Sequence, residues 1–395
     1  MEQIAVLERK CTGCGACVVG CPFEAIEMVM QKARLNAACR ACGICVKACP
    51  EKAIVRLEAK AKSVDKSKWR GILVFAEQAF GTLHPVVPEL IGKARQLAEK
   101  SGEPVYAVLI GADLKTAADS LRHYGVDEVY CYDDPALSFF RADVFTDCFQ
   151  DCIRQATPSA VLVGATALGR SLAPRVATRF RTGLTADCTA IELREDSNLV
   201  QIRPAFGGDI MAQIVTPETR PQFATVRYKV MDAAGRNNAP GGKLISRSVP
   251  RAALASPVRL ISTNPVPPVS SISDAEIIVA AGRGVRAEAD LGALRELAGL
   301  LGGEFAVTRP LVERGWESNA RQIGLSGRTV RPKLLIAAGI SGAIQFTASM
   351  SGAEHIIAVN TDDTAPIFGV AHVGIIGDLY QIIPDLLRLC SRSIA

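Results

Sequence analysis

A chain of 395 residues with 49% hydrophobic and 22% charged side chains has apolar material for two or three globular domains. Its net charge of +5 is spread without blocks of like sign, and aromatics reach only 5%, which excludes a nucleic-acid footprint. No apolar run of about 18 residues occurs and no charged-then-apolar leader opens the chain, so neither a membrane span nor secretion is expected.

The head runs Cys11, Cys14, Cys17, Cys21-Pro22 and repeats the C-x2-C-x2-C-x3-C-P spacing as Cys39, Cys42, Cys45, Cys49-Pro50. Three thiolates in so short a loop converge on one cubane cluster, and the fourth cysteine of each run completes the other cluster. The expected sets are Cys11, Cys14, Cys17 and Cys49, and Cys39, Cys42, Cys45 and Cys21. Gly13, Gly15 and Gly43 allow tight backbone around the sulfurs, and Pro22 and Pro50 turn the chain away. "FEAIEM" and "EKAIVR" after the two runs read as short helix-to-strand segments, which gives the head internal twofold symmetry. A zinc site would not call for the doubled run with its trailing Pro, and disulfides do not suit a chain without a secretory signal. Thiolate ligands call for a reducing compartment, so a cytoplasmic location is expected. Residues 1–58 thus resemble a bacterial two-cluster ferredoxin, with two [4Fe–4S] clusters. Four-cysteine clusters leave no open iron, so the head suits electron relay. Cys131, Cys148, Cys152, Cys188 and Cys390 show no ligand spacing and read as ordinary packed residues.

After a charged connector, Arg56 to Arg70, the pattern becomes α/β. Strands are expected at Gly71–Glu77, Pro104–Gly111, Asp127–Asp134 and Pro158–Thr166, with an amphipathic helix at Pro85–Gly102. That alternation predicts a mainly parallel sheet. Leu199–Met231 alternates apolar and polar residues and is expected to add antiparallel strands. Residues 236–273 read as a linker, with "KLISRSV" and "PVRLIST" as extended edge segments.

A second α/β unit, 274–395, is expected to be doubly wound. "AAGRG" ends its first strand, where open α/β sheets bind ligands. Gly282 and Gly284 admit a phosphate close to the backbone, and Arg283 can pair with it. The acidic residue of a simple NAD site is missing after the second strand, and Thr308 and Arg309 stand there instead. "QIGLSGRTVRP" and "AAGISGAIQF" are two more glycine loops with hydroxyls and helix starts suited to anions. Asn360 and Asp378 end two further strands. Together these loops predict a bound dinucleotide.

These residues resemble the alpha subunit of the electron transfer flavoproteins. The resemblance rests on "GRG" (282–284), "TRP" (308–310), "QIGLSG" (322–327), "GISGAIQ" (339–345), "AVNTD" (358–362) and "GDL" (377–379). It extends back over 70–235, where "GATALGRSLAPRVA" is similar to the family's domain I. The resemblance implies FAD bound mainly by 274–395. Arg283 would lie near the flavin ring, Thr308 and Arg309 near ring or phosphates, and Ser326 would donate toward flavin N5. Gln322, Ile323, Gly324, Gly327, Gly339, Ser341, Gly342, Gln345, Asn360, Asp378 and Leu379 would hold the remainder. Phe346 and Leu325 depart from a His and a Gln common in the family, which implies an altered flavin potential.

The resemblance further implies a beta subunit and a dehydrogenase as partners, with ferredoxin as electron carrier. A two-cluster head is similar to the alpha-type subunit of the electron-bifurcating caffeyl-CoA reductase–Etf complex. The expected role is therefore electron transfer between a beta-subunit flavin and an acyl-CoA dehydrogenase-like partner, linked to NADH and ferredoxin. The alternatives are service to a lactate or other hydroxy-acid dehydrogenase, or a self-contained iron–sulfur flavin oxidoreductase. Four scattered histidines offer no acid–base pair for the last. No catalytic residue is expected in the chain itself.

Overall fold

Each half of the head contributes two strands and one short helix. In this computed structural model, which describes residues 3–36, 38–57, 64–205, 210–250, 256–264 and 271–394, these are β1 (Gln3–Val6), α1 (Ala16–Val19), β2 (Ile26–Val29), β3 (Lys32–Leu35), α2 (Ile44–Ala48) and β4 (Ile54–Leu57). β1 pairs antiparallel with β4, and β2 with β3. The helices lie inside the cysteine runs, not in the segments after them as expected. Pro22 and Pro50 explain this, because the residue before a proline is pushed out of helical conformation. Cys17, Ile26, Ala33, Cys45 and Ile54 form the small core. Met1–Ser63 is one compact unit and Val64–Ala395 another; the connector at 58–63 lies outside the described residues.

The second unit opens with β5 (Ile72–Phe75), a two-residue hairpin of β6 (Gln78–Ala79) and β7 (Thr82–Leu83), α3 (Val86–Ser101), β8 (Val105–Gly111), α4 (Lys115–Leu121) and β9 (Glu128–Asp133). It continues through α5 (Ala142–Ala156), β10 (Ala160–Gly164), α6 (Ala167–Arg179) and β11 (Leu184–Cys188). Three strands, β12 (Ala190–Leu193), β13 (Leu199–Ala205) and β14 (Ile210–Ile214), then form a separate antiparallel sheet. β15 (Gln222–Val226) and β16 (Lys243–Ser246) return to the main sheet.

That sheet has the order β11-β15-β10-β5-β8-β9-β16, and every neighbouring pair is parallel. Its strands are apolar on both faces: Ile72 and Val74 pack with α3 and α4, while Leu73 and Phe75 pack with α5 and α6. Burial on both sides is what a parallel sheet covered by helices requires. The antiparallel expectation holds for β13 and β14 and fails for β15. "QFATV" is buried at all five positions, so it is an interior strand with no polar face. "KLISRSV" supplies the edge strand β16, whereas "PVRLIST" joins no sheet.

The last sheet comprises β17 (Ile277–Ala281), β18 (Glu304–Val307), β19 (Leu334–Ala338), β20 (His355–Asn360) and β21 (Val373–Ile376), in the order β18-β17-β19-β20-β21 and wholly parallel. α7 (Leu291–Leu300), α8 (Arg309–Glu313), α9 (Ile344–Thr347) and α10 (Leu379–Ile394) accompany it. The strand order reverses between β17 and β19, which opens a crevice at their carboxyl ends. No helix among the described residues is long and apolar enough to cross a membrane.

Candidate functional site

In the head, the fold brings the cysteines together in the two expected sets. One cavity is lined by Cys11, Cys14, Cys17 and Cys49, the other by Cys21, Cys39, Cys42 and Cys45. Each set takes its fourth sulfur from the other run. Backbone amides point at the sulfurs: Ala33 N donates to Cys11 Sγ (3.5 Å), Ala53 N to Cys49 Sγ (3.3 Å) and Ala25 N to Cys21 Sγ (3.4 Å). The amides of Ala33 and Gly13 hold the Cys11 thiol below its usual range. Burial, and then the neighbouring thiols of the same quartet, push Cys17 and Cys45 up. A cationic iron core among the sulfurs would reverse that repulsion. Among the described residues no group of three His, Cys, Asp or Glu side chains is placed to hold a single metal ion. The quartets surround cavities instead, which suits a cluster of several irons.

In the last domain, the glycine loops after β17 and β19 meet backbone to backbone at the reversal of strand order. Gly284 N donates to Gly339 O at 2.9 Å, and a Cβ on Gly284 would lie 2.8 Å from Gly339 Cα. Gly339 and Gly342 have φ of 63° and 86°, in the left-handed region that favours glycine. Arg283 is exposed at the crest of the first loop and Ser341 at the crest of the second. Asn360 at the end of β20 braces the second loop, its Nδ2 donating to Ile340 O (2.9 Å), while its Oδ1 accepts from Asp362 N (3.0 Å).

The third loop is tied to the same edge. Gln322 is buried, and its Nε2 donates to Ser326 Oγ at 2.9 Å. Ile323 N donates to Val307 O at the end of β18, and Leu325 N donates to Gln345 O, each at 2.9 Å. Gly324 N donates to Arg328 O, and Gly327 lies where a Cβ would collide with Gln322 O. Thr308 is buried and its N donates to Ala281 O, while the exposed Arg309 pairs with Glu313 at 2.8 Å. Asp378 accepts from Tyr380 N and pairs with Arg286 at 3.2 Å. The side chains of Ile323 and Leu379 are buried in the apolar core, so only their backbones face the edge. Phe346 is likewise buried, among Ile323, Ile340 and Met350, so it fills the core.

Residues of the first sheet, not singled out from sequence, complete the surroundings. A cavity of about 710 Å3 is lined by Glu77, His84, Thr166 and Arg227 on one side and by Ser326 and Arg328 on the other. Arg227 crosses between the domains, its Nη2 donating to Leu325 O at 3.0 Å. Asp187 pairs with Arg227 at 3.6 Å and receives a fork of two bonds from Arg170. Thr166 caps α6 and donates to Glu77 Oε2 at 2.5 Å, and burial pushes the Glu77 carboxyl above the usual carboxylate range. The available signal was position: Glu77, Thr166 and Arg227 each follow the carboxyl end of a parallel strand.

Three family models match the chain. They are the electron transfer flavoprotein domain over residues 72–252, the electron transfer flavoprotein FAD-binding domain over 271–351, and the 4Fe-4S dicluster domain over 10–54. The chain is 51% identical to the lactate dehydrogenase (NAD(+),ferredoxin) subunit LctC of Acetobacterium woodii, over 93% of this chain and 88% of that protein. The 369 aligned residues are more than Val64–Ala395 contains, so the alignment reaches into the head. It is 42% identical to the electron transfer flavoprotein subunit alpha of Thermoanaerobacterium thermosaccharolyticum, over 81% of this chain and 97% of that protein. The protein FixB of Azorhizobium caulinodans is 41% identical over 80% of this chain and 88% of its own length.

Proposed function

The chain belongs to the alpha-subunit family of electron transfer flavoproteins, extended by a 4Fe–4S dicluster head, and on that premise we propose that it carries electrons for a hydroxy-acid dehydrogenase coupled to NAD(+) and ferredoxin. The observation that carries this reading is the relative at 51% identity, which is named for lactate, NAD(+) and ferredoxin together and whose alignment includes the head. It favours the hydroxy-acid alternative over the acyl-CoA partner expected first. FAD and two [4Fe–4S] clusters are the cofactors; they supply one- and two-electron transfer when bound.

The residues divide the work as follows. Each cysteine quartet holds one cluster. The crossed glycine loops, Gly282–Gly284 and Gly339–Gly342, offer backbone close enough for a pyrophosphate, with Arg283 and Ser341 at their crests. Gln322 fixes the Ser326 hydroxyl, which faces the interdomain cavity where the flavin ring would lie. Arg227 anchors the same loop through Leu325 O. Thr308, Arg309, Gln345, Asn360 and Asp378 shape the remaining edge. A beta subunit and a dehydrogenase subunit complete the assembly.

The test is anaerobic purification of the complex through this chain, followed by NADH formation with lactate and reduced ferredoxin. NADH formed only when lactate, NAD(+) and ferredoxin are all present supports the reading. Turnover with an acyl-CoA in place of lactate returns the acyl-CoA partner. NADH oxidation by the isolated chain with an artificial acceptor would make it a self-contained oxidoreductase.

A further inference from the structure

The two halves of the head are copies in which cluster-facing charges have diverged. A shift of 28 positions carries Cys11, Cys14, Cys17, Cys21 and Pro22 onto Cys39, Cys42, Cys45, Cys49 and Pro50. The same shift pairs Thr12 with Arg40, Phe23 with Glu51, Met28 with Arg56, and Ile4 with Lys32. The cavity of Cys11, Cys14, Cys17 and Cys49 is lined by Thr12, Met28 and Glu51, and Lys32 Nζ donates to Cys11 O. Its carboxylate and its ammonium offset each other. The cavity of Cys21, Cys39, Cys42 and Cys45 is lined by Ile4, Phe23 and Arg40. Arg40 is held over the Phe23 ring at 4.9 Å, and Arg56 Nη2 donates to Cys42 O at 3.3 Å. The Arg40 guanidinium therefore lines the second quartet's cavity, and among the described residues no carboxylate lines it.

Added negative charge is favoured beside fixed positive charge, and cluster potentials follow local charge and amide–sulfur hydrogen bonds. The amides of Ala25 and Ala53 are equivalent under the shift and cancel. The amides of Ala33 and Gly13 on Cys11 favour the first quartet, but two neutral dipoles count for less than a whole charge lining the second cavity. We propose that the quartet of Cys21, Cys39, Cys42 and Cys45 holds the cluster of higher reduction potential, and that Arg40 sets the gap. With clusters bound and electrons supplied by a reduced flavin or ferredoxin, that quartet would be reduced first, and the quartet of Cys11, Cys14, Cys17 and Cys49 would be reduced second and be the stronger reductant.

This rests on reading the quartets as two clusters, and the test separates the two claims. The full-length anaerobic protein is taken through a potentiometric titration followed by electron paramagnetic resonance, with iron counted on the same sample. About eight irons per chain and two resolved reduction waves are expected. Arg40→Thr should lower the upper wave and leave the lower one in place, and Arg40→Lys should restore the upper wave. Glu51→Gln acts on the other quartet and should raise the lower wave, so the proposal is tested even if Arg40→Thr loads poorly. Eight irons with one wave, or Arg40→Thr moving the lower wave, overturns the proposal alone. An iron count that excludes two clusters overturns the cluster reading beneath it.

Discussion

Cys21 and Cys49 stand apart in sequence from the quartets they close, and that separation gives a residue-scale prediction. Cys49→Ser should remove the cluster otherwise bound by Cys11, Cys14 and Cys17, leaving about four irons per chain. Loss of the cluster bound by Cys39, Cys42 and Cys45 instead would contradict the crossed assignment; iron analysis with electron paramagnetic resonance decides. A second prediction concerns Glu89, buried on α3, where it accepts from Lys229 N at 2.9 Å. Burial pushes its carboxyl up to about 7, from an ordinary value near 4.5. The folded state therefore holds a proton that the unfolded state releases, so this group's contribution is full below about 4.5 and is lost as pH rises through about 7. Glu89→Gln should flatten the fall in stability across that window, read from denaturant midpoints at pH 5, 6, 7 and 8. An unchanged slope would show that Glu89 is not the titrating group. The grouping of the cysteines into two quartets was legible in the sequence because spacing alone carries it. Glu89 was not, since its neighbours at Lys229 and Met231 lie on a distant segment.

At the scale of elements, the proposed flavin edge depends on loops whose backbones touch. Gly342, with φ 86°, sits where a Cβ would collide with the backbone of Ile367. Gly342→Ala combines that collision with a left-handed conformation and should cost about 2 kcal/mol or more. The expected readouts are a lower denaturant midpoint and purification with little bound FAD; full FAD occupancy at unchanged stability would show that the loop can give way. Strand–helix alternation made β5, β8, β9, β10 and the last sheet readable, because each strand is an apolar run bounded by glycine or acidic turns. β15 was missed for a related reason. "QFATV" continues an alternating stretch, and only its insertion between β11 and β10 shows that both its faces are buried. β13 and β14 are only partly buried, so their alternation survived as a signal, whereas β12 precedes the stretch read as antiparallel.

Over the whole molecule, Met1–Ser63 and Val64–Ala395 are separate compact units with separate cores. Within the larger unit the proposed flavin edge is braced by Asn360 on Ile340 O, Gln322 on Ser326 and Arg227 on Leu325 O. Of these, the Arg227 contact spans 98 positions and no local pattern announces it. The motifs named the loops, but only the fold shows that the first sheet supplies an arm to one of them. Two predictions follow from that division. Arg227→Met should loosen the loop around Ser326 and weaken FAD retention while the cluster iron stays at its full count, because its partners among the described residues, Leu325 and Asp187, lie in the larger unit. Deleting residues 1–63 should leave a protein that folds and keeps one FAD, since no core residue of the larger unit is removed. Its flavin absorbance and thermal midpoint should match those of the full chain, while iron falls to zero and ferredoxin-linked transfer is lost. A truncated chain that unfolds or purifies without FAD would mean that the head stabilises the flavin domain as well as wiring it.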